Sequence, residues 1–192
     1  KAWPPLQVVM TVLFLSAVFS DICPLRAFFF YLAPSQACRY MYGFNPFPES
    51  MEIAQYIKDH TTQSDRIAVF GSEPQIYFYS QRLSATGYVY TYPLMERHPY
   101  VSRMQQAMIK EIEQTKPAYL VVVNIPTSWA VRRNSDRMVF NWMQGYIKNY
   151  TLEGVIDIIS MTQTICRWNK EAFSYTPQTD NVMFVLKRNA PA

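Results

Sequence analysis

The stretch "RIAVFGSEPQIYFYSQRLSATGYVYTYPLME", residues 66–96, decides the fold. It begins with the apolar run of residues 67–70, which is short enough to be a strand covered on both faces, as in parallel sheets. After a glycine turn, Ser72 is placed to cap a helix, and Pro74 lies in the first helical turn, where a missing N–H costs little. Residues 86–92 alternate β-branched residues with tyrosines, which is typical of a strand. The stretch therefore predicts a strand, a turn, a helix and a second strand, which is how a nucleotide-binding unit begins.

The rest of the chain extends this pattern. The segment "YVSRMQQAMIKEIEQTKP" has helical apolar spacing, and a third buried strand is predicted over residues 118–123. Three strands separated by helical crossovers predict an α/β fold with a doubly wound, mainly parallel sheet. The later segments "LEGVIDIIS", "TICRWN" and "NVMFVLKR" are separated by short polar segments rather than helices. We expect them to be antiparallel additions near the C-terminus.

Composition limits the class of protein. The chain has 192 residues, of which 49% are apolar and 17% charged, enough for one well-packed core. Its formal net charge is +4, but the basic residues form no run, so the sequence predicts no nucleic-acid binding. Cys23, Cys38 and Cys166 show no CxxC spacing and indicate neither a disulfide framework nor a zinc site. Cys23 and Cys38 are either paired in an oxidising compartment or, like Cys166, idle thiols.

The N-terminal segment does not resemble part of a soluble domain. "AWPPLQVVMTVLFLSAVFS" contains no charge, and residues 8–19 are almost continuously apolar. We expect residues 1–20 to be the end of a transmembrane helix in the C-terminal part of a longer protein, with 8–19 poorly covered by the rest of the chain. The alternative is a buried core helix. An aromatic and proline-rich linker over 21–48 and a soluble α/β domain over 49–192 would follow.

The turn "FGSEPQ" lacks the features of a phosphate site. A dinucleotide site needs three spaced glycines so that backbone amides approach the pyrophosphate, and this turn has one. Glu73 would repel a phosphate, and Pro74 has no N–H to donate. The sequence therefore predicts that no nucleotide and no cofactor binds here, and that the glycine only turns the chain.

Catalytic groups are sparse. His60 and His98 are the two histidines, and each is expected to be a solvated side chain. Glu73 and Glu96 each follow a predicted strand-to-helix turn. They either converge as a carboxyl pair or, as we prefer, are acids favoured at helix starts. We predict no catalytic residue and no metal site in this chain.

Tyrosines offer a better binding surface. Tyr88, Tyr90 and Tyr92 share one face of the predicted second strand and form a stripe. Such a stripe is usually core or interface packing, but beside Gln75 and Arg82 it also suits a stacking platform for a sugar or a lipid headgroup. The candidate ligand or acceptor contacts are Glu73, Gln75, Tyr77, Arg82, Tyr88, Tyr90, Tyr92 and Glu96.

Three segments, "NPFPES.EIA.YI", "DRIAVFGSEPQIYFYSQRLSATGYVYTYPLME" and "PAYLVVV", follow the apolar segment. Together they resemble the C-terminal extracytoplasmic domain of bacterial membrane glycosyltransferases. These enzymes use polyprenyl-phosphate sugars and are related to dolichyl-phosphate-mannose-protein mannosyltransferases and to aminoarabinose transferase. The resemblance covers roughly residues 44–158.

The resemblance implies an accessory domain on the extracytoplasmic side of the bacterial cytoplasmic membrane. Its partners would be its own upstream membrane region, the membrane surface and a lipid-linked sugar. The family's catalytic acid lies in a loop near the start of the membrane region. No position here matches that loop, so the chain alone is expected to transfer no sugar. The alternatives are a stand-alone soluble α/β enzyme or ligand-binding module and a pure interaction domain.

Overall fold

The structure is a computed structural model that describes residues 4–190. It is an α/β fold with a mixed six-stranded sheet and an N-terminal apolar helix. Residues 1–3 of the predicted membrane segment and 191–192 of the predicted domain lie outside the described residues. The helices are α1 (Pro4–Ile22), α2 (Arg26–Phe30), α3 (Pro34–Tyr42), α4 (Phe47–Asp59), α5 (Pro74–Ser80), α6 (Tyr92–Met95), α7 (Val101–Thr115), α8 (Pro126–Trp129), α9 (Met138–Tyr146) and α10 (Lys170–Ser174). The strands are β1 (Arg66–Phe70), β2 (Leu83–Ser84), β3 (Tyr119–Asn124), β4 (Tyr150–Ile158), β5 (Thr164–Trp168) and β6 (Val182–Arg188).

The sheet has a parallel part and an antiparallel part, in the order β2-β1-β3-β6-β4-β5. β1 pairs in parallel with both β2 and β3, so the strands predicted over residues 67–70 and 118–123 are confirmed as neighbours. β6 lies antiparallel between β3 and β4, and β5 is antiparallel to β4. The C-terminal strands are therefore antiparallel additions on one side of the parallel part, as predicted.

The strand predicted over residues 86–92 is wrong. The strand beside β1 is the two-residue β2, and the chain then runs without regular structure into α6. Side chains take the place of a ladder, because the carboxylate of Glu111 accepts hydrogen bonds from the hydroxyl of Thr86 (2.5 Å) and the N–H of Gly87 (2.9 Å). The segment has the composition of a strand, but the N–H groups of Gly87 and Thr91 donate to side chains rather than to a neighbouring strand.

Helices pack on both faces of the sheet. Because side chains alternate along a strand, Ile67 and Val69 of β1 face one way, and Ala68 and Phe70 face the other. The first pair packs with α4 and α5, and the second with α7, α9 and Trp129 of α8. The parallel strands are thus buried on both sides, which explains their continuous apolar runs.

α1 packs differently from every helix of the domain. Its side chains are exposed along its length, with Val8 60%, Phe14 66% and Phe19 70% accessible, so the predicted uncovered helix is confirmed and the buried core helix is not found. The window Pro5–Ile22 is long and apolar enough to cross a membrane, and none of it is buried. α2 and α3 occupy the segment predicted to be a linker.

Candidate functional site

The turn after β1 shows why a glycine stands at position 71. A Cβ there would overlap Glu73 Oε2 and stand 2.5 Å from Ser128 Oγ and 2.8 Å from Val123 Cβ. These distances are shorter than van der Waals contact, so no larger residue fits without rearrangement. Gly71 lets the turn pass beneath two polar side chains, and those side chains occupy the space over it.

Glu73 is the central group of this site. It is only 3% exposed, and its Oε2 accepts a hydrogen bond from Ser128 Oγ at 2.8 Å. Burial raises the pKa of the Glu73 carboxyl to about 7, against the opposing effect of the hydrogen bonds from Ser128 and Ser72. The carboxyl therefore changes between its protonated and ionised forms near neutral pH.

The position of this carboxyl in the sheet is the one where ligands often bind. Glu73 follows β1 and Ser128 follows β3, and the chain winds outward in opposite directions from these neighbouring strands. Ligand sites of open α/β sheets lie beyond the carboxyl ends of strands at such a switch point. Here the Glu73 carboxyl and the Ser128 hydroxyl themselves fill the space directly over the glycine.

Ser72 ties the turn to the following loop instead of capping α5. Its N–H donates to Ser128 Oγ at 2.9 Å, and its hydroxyl accepts from the N–H of Thr91 at 3.1 Å. Glu73 occupies the position before α5, whose start has no side-chain cap. The predicted Ser72 cap is therefore wrong, because the hydroxyl is used to hold the loop over residues 86–91.

Arg82 is structural. It is 7% exposed, and its guanidinium donates to the carbonyls of Lys58 (3.0 Å), Thr61 (2.7 Å) and Ser80 (3.1 Å). These carbonyls lie at the ends of α4 and α5, where helices leave acceptors unsatisfied. The proposed use of Arg82 in a ligand platform is not supported by this geometry, because its donors are already occupied.

Gln75 and Tyr77 also make internal contacts. The Gln75 amide donates to Ser50 Oγ at 3.0 Å, which links α5 to α4. The hydroxyl of Tyr77 accepts from the N–H of Val69 at 2.8 Å, and its ring packs against the core. Both candidates hold α5 against its neighbours.

The tyrosine stripe exists only in part. Tyr90 and Tyr92 have ring centroids 4.6 Å apart, and Tyr90 is 47% exposed. Tyr88 packs against the core formed with α7 and α9. The stripe was predicted from strand alternation, and without a strand only Tyr90 and Tyr92 come together.

Glu73 and Glu96 do not form a functional pair. Glu96 is solvent-exposed, follows the end of α6, and has Arg132 Nη2 at 3.8 Å from its Oε1. It is therefore not a helix-start acid, because it lies at the other end of its helix. Glu73 has different partners and is buried.

The two histidines make local contacts. His60 Nδ1 lies 2.7 Å from the carbonyl oxygen of Tyr56, and its ring stacks on the ring of the same residue. His98 Nε2 lies 2.7 Å from the Pro93 carbonyl oxygen, and its Nδ1 accepts from the N–H of Tyr100. Within residues 4–190, no group of three or more His, Cys, Asp or Glu side chains is placed to hold a metal ion. Cys23, Cys38 and Cys166 are free thiols.

Sequence reasoning missed a buried ion pair. Arg39 of α3 and Glu49 of α4 form a salt bridge and are 7% and 5% exposed. Both residues are among those that line a cavity between the two helices and the loop that joins β4 to β5. Local sequence does not predict the surroundings of Glu49, because Thr164, whose hydroxyl also donates to its carboxylate, is far away in the chain.

Comparison with known proteins gives one partial match. A protein-family model described as "Putative competence-induced protein Ccs4 C-terminal domain" matches residues 48–135, a little under half of the chain. The match runs from α4 to just beyond α8 and therefore includes the parallel strands and the Glu73 site. The description names no chemical activity. No curated protein and no solved structure matches the chain significantly.

Proposed function

We propose that this chain is an accessory domain of a bacterial membrane glycosyltransferase that uses a polyprenyl-phosphate sugar. It lies on the extracytoplasmic side of the cytoplasmic membrane, where it covers the active site of the membrane region or helps to select the acceptor. The observation that carries the proposal is the uncovered apolar α1. A helix of 19 residues is about 28 Å long, close to the thickness of the hydrocarbon core.

The connection between α1 and the α/β domain supports a role at the membrane surface. Just before α4, Asn45 Oδ1 accepts a hydrogen bond from Thr127 Oγ1 at 2.5 Å, and Thr127 follows β3. This contact places the end of the segment between α1 and α4 at the carboxyl edge of the parallel strands. A membrane region joined to α1 would then approach the edge at which such sheets bind their ligands.

Two features fit a non-catalytic role. The space over Gly71 is filled by protein side chains, and the Arg82 guanidinium donates its hydrogen bonds to carbonyls near the end of α4. The chain's own contribution would be binding and positioning, while the catalytic acid belongs to the membrane region. We also propose that the sheet is doubly wound, which is supported by helices on both faces and by the placement of β2 and β3 on opposite sides of β1.

The test is an assay of sugar transfer. Membranes from cells that make the native protein are compared with membranes from cells that lack it, using a radiolabelled sugar on a polyprenyl-phosphate donor. We expect transfer to disappear with the protein and to return when the gene is restored, while the purified chain alone transfers nothing. Equal transfer by both membranes would contradict the proposal.

A further inference from the structure

Five exposed arginines, the edge arginines, lie in two neighbouring loops and one helix start at the carboxyl edge of the parallel strands. They are Arg97, Arg103, Arg132, Arg133 and Arg137. Three of them belong to the loop over residues 130–137, which follows β3 and α8, and the other two lie between α6 and the first turn of α7. The two loops touch, because Ser135 Oγ donates to the carbonyl of Met95 at 2.6 Å. The edge arginines therefore form one surface.

The 130–137 loop is held from inside the fold. Gln105 of α7 is fully buried, and its amide nitrogen donates to the carbonyl of Asp136 at 3.0 Å. The amide oxygen of the same side chain accepts from the N–H of Val139 at 2.8 Å. A buried side chain that bonds both sides of the loop end fixes its course. The arginines are thus carried by an ordered support.

Most of the positive charge on this surface is not neutralised by the protein. Arg132 has Glu96 at 3.8 Å, and the other four edge arginines form no salt bridge within residues 4–190. Asp136 already accepts hydrogen bonds with both carboxylate oxygens, from a hydroxyl and from a backbone N–H. Asp180 lines the same pocket as Arg137 without pairing with it in the described part of the chain. An excess of exposed guanidinium groups therefore remains.

The segment that comes from α1 reaches the domain at this same edge. Leu32 lies beside the loop between β4 and β5, and Asn45 accepts from Thr127 of α8, directly before the 130–137 loop. Between these points the segment exposes Tyr40 (62%) and Tyr42 (53%). Exposed tyrosines are typical of the boundary between lipid and water. A membrane that holds α1 would therefore lie on the side of the edge arginines.

The arrangement of the arginines favours a surface over a single small anion. They are spread over two loops and enclose no pocket that would surround one phosphate. A guanidinium group pairs well with phosphate oxygens through two parallel hydrogen bonds. A bilayer with anionic phospholipids presents many phosphates in one plane, and basic segments next to a membrane helix are attracted to such a surface.

We propose that the edge arginines bind the phosphate groups of anionic phospholipids in the membrane that α1 enters. The domain then rests on the bilayer with the carboxyl edge of its parallel strands toward the lipid. The inference rests on the membrane anchoring in the proposed function, but it does not depend on sugar transfer.

The experiment measures hydrogen–deuterium exchange of the full chain in lipid nanodiscs by mass spectrometry. One set of nanodiscs contains phosphatidylcholine alone, and in the other about a third of the lipid is phosphatidylglycerol. The N–H groups of Val131, Arg133 and Asn134 donate to no atom of residues 4–190, so they exchange quickly unless something covers them. We expect phosphatidylglycerol to slow exchange in the 130–137 loop by at least about threefold.

Two combined variants locate the contact. The first joins Arg97→Gln, Arg132→Gln and Arg133→Gln, and it should remove the slowing by phosphatidylglycerol, because three exposed guanidinium groups are lost. The matched control joins Lys116→Gln, Lys148→Gln and Lys187→Gln, which are exposed residues at the opposite edge, where β3 and β4 begin. It changes the net charge equally and should keep the slowing. Thermal unfolding checks that both variants fold as wild type does.

Three results would overturn the inference. They are equal exchange of the loop in both kinds of nanodisc, loss of the slowing in both combined variants, and stronger protection by a short DNA oligonucleotide in neutral nanodiscs than by phosphatidylglycerol. The last result would assign the surface to nucleic acid. A chain that enters the nanodiscs without lipid-dependent slowing refutes this contact alone, whereas a chain that enters neither kind refutes the membrane anchoring as well.

Discussion

Glu73 Oε2 and Ser128 Oγ lie 2.8 Å apart, although their residues belong to loops that follow two different parallel strands. The hydrogen bond joins the turn after β1 to the start of α8 directly over Gly71. It also leaves a carboxyl group almost completely away from water. The stability of the fold should therefore depend on the protonation of one side chain.

The first prediction concerns pH. Burial raises the pKa of Glu73 from 4.5 in the unfolded chain to about 7 in the fold, so the native state binds more protons between these values. Stability from this group is then fully present below pH 4.5 and is lost as pH rises to 7, by about 3 kcal/mol in total. Urea unfolding at pH 4.5 and 7.5 measures the change.

The variant Glu73→Gln isolates this effect. It keeps an oxygen that accepts from Ser128 but cannot ionise, so its free energy of unfolding should fall less than that of wild type between the two pH values. Glu96→Gln removes an exposed carboxylate and is the control, with the wild-type pH dependence. Identical pH dependence in wild type and Glu73→Gln would show that the carboxyl is not perturbed.

A second prediction concerns the close approach over the turn. Gly71→Ala should destabilise the fold by about 2–3 kcal/mol, because the added methyl overlaps Glu73 and Ser128. Gly145→Ala in α9 meets nothing within 4 Å and should be neutral or stabilise by about 0.5 kcal/mol. Denaturant unfolding of both variants checks this, and a Gly71→Ala protein as stable as wild type would contradict the packing.

The sequence anticipated the elements with a strong local signal. The apolar runs of β1 and β3 and the periodicity of α7 are local properties, and each was located to within a residue or two. The strand predicted over residues 86–92 does not form because the backbone N–H groups of Gly87 and Thr91 donate to Glu111 and Ser72 instead, and only the folded chain brings these acceptors near. Local composition does not reveal such partners.

The candidate residues show the same limit. Arg82 was proposed as a polar group near a tyrosine stripe, but its guanidinium donates hydrogen bonds to carbonyls at the end of α4. The burial of Glu73 depends on Ser128, which the chain places 55 positions later. Nothing in the sequence identifies Arg39 and Glu49 as a pair, because only the packing of α3 on α4 buries them together.

A third prediction is that no mononucleotide or dinucleotide binds at the turn after β1. The glycine spacing is absent, and the Glu73 carboxyl stands over the glycine, where it would repel a phosphate. Calorimetry with NAD and with a nucleotide sugar should give no binding heat. Low-micromolar binding that Glu73→Gln alters would overturn the prediction.

A fourth prediction concerns a buried hydroxyl. Tyr119 is 1% exposed, and its hydroxyl has no partner among residues 4–190, so Tyr119→Phe should stabilise the fold by about 1 kcal/mol. Tyr150 is the matched control, because its hydroxyl donates to the Pro117 carbonyl at 2.9 Å. Tyr150→Phe should destabilise by about 1 kcal/mol, and equal losses in the two variants would mean that Tyr119 also has a partner.

The last prediction concerns α1. Its apolar side chains are exposed, and their contact with water is unfavourable. Large contiguous apolar surfaces of this kind normally mark a lipid or protein contact. The full chain, mixed with phosphatidylethanolamine and phosphatidylglycerol vesicles, should float with the lipid in a density gradient. Leu13→Lys places a charge in the middle of the helix at a cost of about 3 kcal/mol, so the bound fraction should fall steeply.

The control for Leu13→Lys is Phe173→Lys, which changes an equally exposed apolar residue of α10. It should float as wild type does, because the domain surface is not expected to enter the lipid. Circular dichroism should show the same helix content for both variants, since neither residue is buried. If the chain stayed monomeric in the aqueous layer, or if both variants lost vesicle binding equally, α1 would not be the anchor and the membrane role would lose its main support.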